Sequence, residues 1–159
     1  MVIELGDIIL RIDQKVIDII SSFIQDEKDK PEAGGILMGY YIDDYSFFIS
    51  DLTVPSNYDK SSRFNFIRSF INAQKFINHF FKSSKGKKIY LGEWHTHPEK
   101  LPTPSSTDLD SFEEQLKKNK LNSKFIFMII IGIEGMYASS YSNLKLVDEG
   151  RVPFIRNTF

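Results

Sequence analysis

The stretch GEWHTHPEKLPTPSSTDLDSF, residues 92–112, contains two of the three histidines of the chain, separated by a single residue. The sequence KIYLGEWHTH (88–97) is β-branched and aromatic, which predicts a buried strand. Because residues i and i+2 of a strand project to the same face, His95 and His97 can reach one point while Thr96 faces the other way. The two histidines therefore form a pair near the C-terminal end of a predicted strand.

The segment that follows brings a carboxylate within reach of that pair. Three prolines stiffen the loop PEKLPTP (98–104) and lower the entropy lost when it is ordered. Asp108 opens the next predicted helix, SSTDLDSFEEQLKKN (105–119), and the loop can fold the first turn back towards the histidines. Two neutral imidazoles and a carboxylate make a three-ligand zinc site, and a catalytic zinc keeps its fourth position for water. His95, His97 and Asp108 are thus the candidate metal ligands.

The same residues also fit a purely structural interpretation. SSTD is a capping pattern, with Ser105 as the N-cap and Asp108 at the third helical position, before the apolar Leu109. A His-x-His pair on a strand is weak evidence of a site by itself, because aromatic-like residues suit strands. The two interpretations are compatible, because the start of a helix can also hold a metal ligand. The whole pattern, His-x-His, seven residues, Ser, two residues, Asp, fixes four identities, so chance agreement is rare.

Composition limits what the chain can be: at 159 residues, 42% of them apolar, it is predicted to form one domain, 1–159. A net charge of −1 offers no basic surface for nucleic acid or an anionic membrane. The lack of cysteine excludes a disulfide framework and thiolate metal ligands, and indicates a reducing compartment such as the cytosol. The start, MVIELGDIILRIDQ, lacks the features of a signal peptide, and the best apolar run, FIFMIIIGI, is strand-sized. We expect a cytoplasmic protein with neither a nucleic-acid nor a membrane partner.

Hydrophobic periodicity predicts a mixed order of helices and strands. Helices are predicted over QKVIDIISSFIQ (14–25, capped by Asp13), RSFINAQKFINHFF (68–81) and residues 105–119, and strands over residues 8–12, 32–42, 45–54, 88–97, 124–133, 135–142 and 144–147. The residues expected to face inward are Val16, Ile20, Phe23 and Ile24 in the first helix, Phe66, Phe70, Ala73, Ile77 and Phe80 in the second, and Leu109, Phe112 and Leu116 in the third. This order favours an α/β (α+β) fold in which a curved mixed sheet packs against helices.

The spacing of His95, His97, Ser105 and Asp108 resembles the JAMM motif of the JAB/MPN metallopeptidases. That family also carries an upstream glutamate just before a strand that reads roughly Gly-Gly-apolar-apolar-Gly, and PEAGGILMGY supplies Glu32 followed by GGILMG. Without the motif, a glutamate in DEKDKPEAGG would pass as one more solvated surface acid. The resemblance covers most of the chain, from about residue 31 to the strands near residue 142.

This resemblance implies a JAB/MPN-like fold, in which a curved mixed sheet is packed with helices around a cytidine deaminase-like core. It implies one Zn²⁺ per chain, held by His95, His97 and Asp108, which activates water and polarises the scissile carbonyl. Glu32 would accept a proton from that water as general base and pass it to the departing amine. Ser105 would donate a hydrogen bond to the tetrahedral oxyanion.

JAB/MPN enzymes remove ubiquitin or ubiquitin-like tags, so the resemblance implies a zinc isopeptidase. The sequence around the motif looks most like the bacterial JAB-type peptidases of CBASS anti-phage operons. In those systems an E1–E2-like protein attaches the C-terminus of a cGAS/DncV-like nucleotidyltransferase to targets, and the peptidase removes it. The tail of the tag is expected to lie as an extended strand beside residues 36–40 or beside the segment after Asp59.

Three other functions can be weighed against this one. A JAMM peptidase that acts on a sulfur-carrier or another ubiquitin-like protein would carry the same motif, so the sequence does not exclude it. A non-catalytic MPN scaffold loses metal ligands, whereas this chain keeps all of them and the glutamate. A zinc nucleoside deaminase needs a Pro-Cys-x-x-Cys pair, which a chain without cysteine cannot provide.

Overall fold

Apolar strands of the chain assemble into one curved sheet that carries helices on both of its faces. In the computed structural model, which describes residues 1–154, an eight-stranded sheet, a separate two-stranded hairpin and three helices are present. The strands are β1 (Val2–Leu5), β2 (Ile8–Ile12), β3 (Gly34–Asp43), β4 (Ser46–Leu52), β5 (Lys60–Ser62), β6 (Asn65–Ile67), β7 (Lys88–Thr96), β8 (Ile126–Ile131), β9 (Gly135–Ser142) and β10 (Lys145–Pro153). The helices are α1 (Gln14–Ser21), α2 (Phe70–Ser83) and α3 (Ser106–Lys118). The predicted fold class, a mixed sheet with helices, is confirmed.

The strand order of the sheet is β1-β2-β4-β3-β7-β8-β9-β10, and β5 pairs with β6 outside it. The pairs β2–β4 and β7–β8 are parallel, and the others are antiparallel. Because β1 also contacts β9 and β10, the sheet curls until it nearly closes. Among the described residues β3 is paired on both edges, so the prediction that a peptide tail could add beside residues 36–40 is wrong.

Helix α1 starts as predicted, with Asp13 as its N-cap, but it ends at Ser21 rather than at Gln25. The hydroxyl of Ser22 donates a hydrogen bond to the carbonyl of Ile19 (2.7 Å), and such a local bond competes with continued helix. The four predicted inward residues still contact the main core: Val16, Ile20, Phe23 and Ile24. The chain that leaves α1 therefore stays against the core and carries Gln25 into the interior, where that residue is 1% exposed.

Helix α2 begins at Phe70, two residues later than predicted, because Ser69 is its N-cap. Phe66 belongs to β6 instead, in a hairpin whose strands are only three residues each and which the periodicity did not predict. Phe70 is 56% exposed, so its predicted inward position is wrong. Ala73 is buried, and the residues that pack with it against β3 are Phe76, Ile77 and Phe80. The start of α2 is thus free to border a surface cleft.

Helix α3 covers β8 and β9 with the two inward residues that were predicted in its middle, Phe112 and Leu116. Leu109 is 40% exposed, so its predicted burial is wrong. The first turn of the helix borders the open cleft described below, whereas the later turns reach the apolar cluster on β8. Strand β1 was not predicted, and β10 continues well beyond residues 144–147. Among residues 1–154 no helix is both long enough and apolar enough to cross a membrane.

A bulge interrupts β7 just before the histidines. Gly92 lies opposite Leu37 and Tyr90 lies opposite Met38, so Leu91 is an extra residue in the ladder between β3 and β7. Gly92 has a φ of +146°, a conformation that residues with a side chain rarely adopt. A bulge with glycine of this kind bends the strand and shifts its alternation.

This shift determines which face the histidines take. Before the bulge, Ile89 and Leu91 point into the main core, and Tyr90 points to the opposite face of the sheet, which α2 and α3 cover. After it, Trp94 points into the core, so the alternation has moved by one residue. His95 consequently lies on the same face of the sheet as Tyr90, the face that α2 and α3 cover. Without the extra residue, His95 would follow Leu91 into the apolar interior, because side chains alternate with period two.

We predict that Gly92→Ala destabilises the protein strongly. A Cβ at this position would collide with the carbonyl oxygen of Phe127 on β8 and would require an unfavourable φ. Strain and overpacking together should lower the free energy of unfolding by about 3 kcal/mol or more, measured by urea denaturation. Gly150→Ala is the matched control, because its Cβ would only touch Leu5 at 3.7 Å. Equal stability of the two variants would contradict the collision.

Candidate metal centre

Four side chains from three segments of the chain converge at the end of β7. Glu32, His95, His97 and Asp108 each offer a donor atom, and these atoms all lie within 4.8 Å of one another. The Nε2 atoms of the two histidines face the same carboxylate, at 3.3 Å and 3.2 Å from its two oxygens. The structure therefore brings together the three residues predicted as ligands and the glutamate predicted beside them.

Each histidine is held by the strand that carries it. His95 is the second-to-last residue of β7, flanked by β3 and β8. His97 follows the strand, but its backbone N–H still donates to the carbonyl of Ile131 (2.9 Å), so it continues the ladder with β8. The ring centroids of the two imidazoles are 4.9 Å apart. Strand geometry thus produces the pair, as the spacing predicted.

Asp108 reaches the histidines from the first turn of α3, where it is held by a capping box. The N–H of Ser105 donates to Asp108 Oδ2 (2.7 Å), and the N–H of Asp108 donates to Ser105 Oγ (3.1 Å). The predicted capping pattern is therefore confirmed, and it coexists with the position of Asp108 at the cluster. The Ser105 side chain lies on the wall of the same cleft and is exposed. Its hydroxyl proton remains available to a ligand, because the capping bond uses the oxygen as acceptor.

Glu32 lies just before β3 and closes the cluster on its remaining side. The residue is only 5% exposed, and its backbone N–H donates to the carbonyl of Ser62 on β5 (2.8 Å). Burial raises the pKa of Glu32 to about 6, and the nearby His95 and His97 offset part of that rise. A carboxyl group with a pKa close to neutrality can both accept and release a proton at physiological pH.

The pKa of Asp108 is shifted in the opposite direction to that of Glu32. Burial by itself would raise its pKa, but the close imidazoles of His95 and His97 outweigh burial and hold the pKa of Asp108 well below its usual range. For His97 burial alone would lower the pKa, because it disfavours the charged imidazole, but the carboxylates of Asp108 and Glu32 raise the pKa overall. Asp108 is thus a permanent anion, whereas Glu32 is easily protonated. Of the two carboxyl groups in the cluster, one stays charged and the other can bind and release a proton near neutral pH.

The donor set fits a divalent metal ion. The cluster offers two imidazole nitrogens and carboxylate oxygens, which are typical ligands of such ions in proteins. Among the described residues, the buried Nε2 of His95 has no hydrogen-bond partner of good geometry. A buried polar atom without a partner is costly, and a bound cation would satisfy it. His95, His97, Asp108 and Glu32 are therefore the residues that could hold a metal ion.

The cluster opens into a cleft of about 1000 Å³. The hairpin and the start of α2 form one wall, with Phe64, Phe66, Ile67 and Phe70, and α3 forms the opposite wall, with Thr107, Ser111 and Gln115. Arg68 also lines it and pairs with Glu93 at 2.6 Å. An extended peptide with its scissile bond at the cluster could lie between these walls.

The hairpin and Arg68 were not recognised from the sequence as parts of the site. The hairpin strands are too short for a periodic signal, and an arginine before a predicted helix is an ordinary surface feature. The third histidine, His79, is exposed on α2 and is not in the cluster. Residues that contact a motif in the fold cannot be predicted from the sequence when their own segments show no recognisable pattern.

Comparison with known proteins relates this site to a family. The family model described as prokaryotic homologs of the JAB domain matches residues 13–143. A CD-NTase/cGAS isopeptidase of Vibrio cholerae serotype O1 is 33% identical over 102 residues, which cover 64% of this chain and 62% of that relative. A CD-NTase/cGAS isopeptidase of Pseudomonas aeruginosa is 28% identical over 129 residues, which cover 81% of this chain and 80% of the relative.

A solved structure shares the fold. The solution structure of a Desulfitobacterium hafniense protein matches with a TM-score of 0.58 at 15% identity, and the match covers 92% of this chain and 91% of that chain. The matched segment of the Vibrio relative spans only 62% of its length, so the rest of that protein has no counterpart in the match. The family match, in contrast, spans residues 13–143 and includes all four clustered side chains. The chain therefore belongs to the prokaryotic homologues of the JAB domain.

Proposed function

We propose that the chain is a zinc-dependent isopeptidase of JAMM type. It cleaves after the C-terminus of a conjugated cGAS/DncV-like nucleotidyltransferase and so reverses the conjugation, as part of CBASS anti-phage defence. The observation that carries this proposal is the convergence of Glu32, His95, His97 and Asp108 in a cleft of about 1000 Å³. The relatives described as CD-NTase/cGAS isopeptidases support the choice of substrate.

In this proposal His95, His97 and Asp108 hold one zinc ion per chain. Zinc, when bound, supplies a Lewis acid that activates water at neutral pH and polarises an amide carbonyl. The two histidines bind through Nε2, the atom that each already turns towards Asp108. The capping box keeps the Asp108 carboxylate oriented, because one of its oxygens accepts the Ser105 N–H.

Glu32 acts as the general base and then as the general acid of the reaction. Its carboxylate accepts a proton from the attacking water and then delivers it to the nitrogen of the departing lysine amine as the C–N bond breaks. The products are a free C-terminal carboxylate on the tag and a free amine on the target. Burial makes this carboxyl group a stronger base than a solvated glutamate, because its pKa is raised to about 6.

The hydroxyl of Ser105 donates a hydrogen bond to the oxyanion that develops on the scissile carbonyl. We predict that Ser105→Ala lowers kcat by about 10²–10³-fold and lowers the free energy of unfolding by about 1 kcal/mol through loss of the N-cap. Ser105→Gly separates the two effects, because glycine caps a helix almost as well but has no hydroxyl. Wild-type kcat in Ser105→Gly would contradict the oxyanion role.

Further features complete the proposal. The tail of the tag lies along the β5–β6 hairpin, the segment after Asp59, because this hairpin borders the cleft and is not covered by the large sheet. An E1–E2-like conjugating protein produces the substrate, and the enzyme acts in the cytoplasm as a single domain, 1–159. Its core is of the cytidine deaminase-like type.

The substrate is tested with a designed fusion. The C-terminus of a cGAS/DncV-like nucleotidyltransferase is joined to an unrelated protein, incubated with the zinc-loaded chain, and examined by mass spectrometry. We expect a cut directly after the last residue of the nucleotidyltransferase, whatever protein follows. A fusion whose tail is replaced by a Gly-Ser segment is the control and should remain intact.

Two results would contradict this assignment. If the nucleotidyltransferase fusion stays intact while a sulfur-carrier fusion is cut, the chain is instead a JAMM peptidase that acts on ubiquitin-like proteins. Intact fusions of both kinds, with zinc bound, would favour a non-catalytic MPN scaffold. A cut that a zinc chelator abolishes would support the proposal.

A further inference from the structure

Gln25 is a buried amide whose hydrogen-bonding groups are all used. The side chain is 1% exposed, and its Nε2 donates to the carbonyls of Lys30 (3.1 Å) and Arg63 (2.9 Å). Its Oε1 accepts from the hydroxyl of Thr96 (3.0 Å). An amide has two N–H donors and one carbonyl acceptor, and each of these groups of Gln25 has a partner. None of these bonds belongs to a helix or a sheet ladder.

The three partners come from three segments that build the cleft. Lys30 lies two residues before Glu32, and Arg63 lies in the turn of the β5–β6 hairpin. Thr96 stands between the two histidines and is completely buried. Gln25 therefore connects the loop of the glutamate, the wall of the cleft and the strand of the metal ligands at a single point.

Thr96 extends the connection to the other side of Glu32. Its hydroxyl oxygen accepts from the N–H of Ala33 (2.9 Å), while its own N–H donates to the carbonyl of Ala33 (2.8 Å). Glu32 is thus bracketed, with Gln25 bonded to the segment before it and Thr96 bonded to the residue after it. A buried network of this kind is costly to leave half satisfied, so it holds one arrangement.

We infer that Gln25 is a positioning residue, which acts through Thr96 to hold the Glu32 carboxylate against the histidine strand and ties the hairpin to the same point. The effect on turnover rests on the proposed function, whereas the network itself does not. Gln25 contacts neither the cluster donors nor the cleft surface. Its influence is exerted through geometry, and misplacement of a catalytic group by about 1 Å can lower a rate by about 10²-fold.

The test compares two substitutions that remove bonds without changing shape much. Thr96→Val deletes the hydroxyl that joins Gln25 to Ala33, and Gln25→Met deletes all three bonds of the amide. With the nucleotidyltransferase fusion as substrate and zinc content verified, Thr96→Val should lower kcat by about 10- to 100-fold with KM within about threefold. Gln25→Met should lower kcat similarly and also raise KM, because the hairpin is released. If Gln25→Met does not fold, Thr96→Val carries the test.

Matched controls separate positioning from general stability. Thr96→Ser restores the hydroxyl and should recover most of kcat, although it loses a buried methyl group. Gln14→Met removes an exposed glutamine of α1 whose amide donates to Asp18, far from the cluster in the chain, and it should leave kcat unchanged. If Thr96→Val retains wild-type kcat, or if Thr96→Ser is as slow as Thr96→Val, the inference is overturned.

A readout without turnover keeps this inference separate from the proposed function. In the metal-free protein, amide hydrogen exchange at Ala33, followed by NMR, should be at least about tenfold faster in Thr96→Val than in wild type and in Thr96→Ser. If the wild-type chain cleaves no fusion, the proposed function fails, and accelerated exchange would still support the bracket around Glu32. Unchanged exchange would overturn the bracket, whatever the activity.

Discussion

Glu32→Gln is expected to reduce kcat for the nucleotidyltransferase fusion by about 10³-fold or more while zinc stays bound. The substitution keeps the size and burial of the side chain but removes the group that accepts and delivers the proton. General acid–base catalysis contributes typically about 10²–10⁴-fold, and in the proposed mechanism one residue serves both proton transfers. The measurement combines single-turnover cleavage with metal analysis of the purified variant.

Glu27→Gln is the matched control for this experiment, because Glu27 lies in the same loop but is exposed. It should retain wild-type kcat. A Glu32→Gln variant that has lost its metal would identify Glu32 as a ligand and overturn the mechanism. Wild-type turnover with metal bound would exclude Glu32 as the proton carrier.

His95→Ala is expected to abolish both metal binding and cleavage. The variant removes one of two imidazoles and leaves Asp108 facing only His97. Loss of residues that merely support a ligand costs about 10–100-fold in metal affinity, so loss of a ligand should cost at least about 100-fold. Zinc content after dialysis against a weak chelator measures this directly, and it should fall from about one ion per chain to a small fraction.

The control for metal binding is His79→Ala, which removes the exposed histidine of α2. Its zinc content and kcat should match the wild type. Wild-type zinc content in His95→Ala would disprove the assigned ligand set, even if activity were lost. Circular dichroism of both variants shows whether any loss of zinc reflects unfolding.

Much of the site could be predicted from local patterns. His95 and His97 share a face because they are two apart on a strand, and Asp108 is placed by a capping box that short-range chemistry requires. Both patterns act within a few residues, so they can be read without the fold. Glu32 had no such pattern and was identified only by resemblance to the JAMM motif. Its burial and its position beside the histidines were observed in the structure.

Other features depended on contacts between distant segments. Phe70 and Leu109 have the helical spacing of buried residues, yet both are exposed. Phe70 borders the cleft instead of the core, and among residues 1–154 no element covers Leu109 in the first turn of α3. Gln25 looked like the end of a helix, and its role emerged only when three separate segments met around its amide. Periodicity indicates which side of a helix or strand is apolar. It does not indicate whether a neighbouring element extends far enough to cover each apolar residue on that side.

The residues of the site and their local geometry are therefore encoded in short stretches of the chain, whereas the direction in which they face is not. Uninterrupted alternation along β7 would place His95 on the same side as Ile89 and Leu91, inside the apolar core. The bulge at Gly92 moves the alternation by one residue and turns His95 out towards Asp108. The bulge lies in the ladder between β7 and β3, while the ladder between β7 and β8 keeps a regular register. It is therefore defined only by pairing between distant segments, which is a property of the assembled sheet.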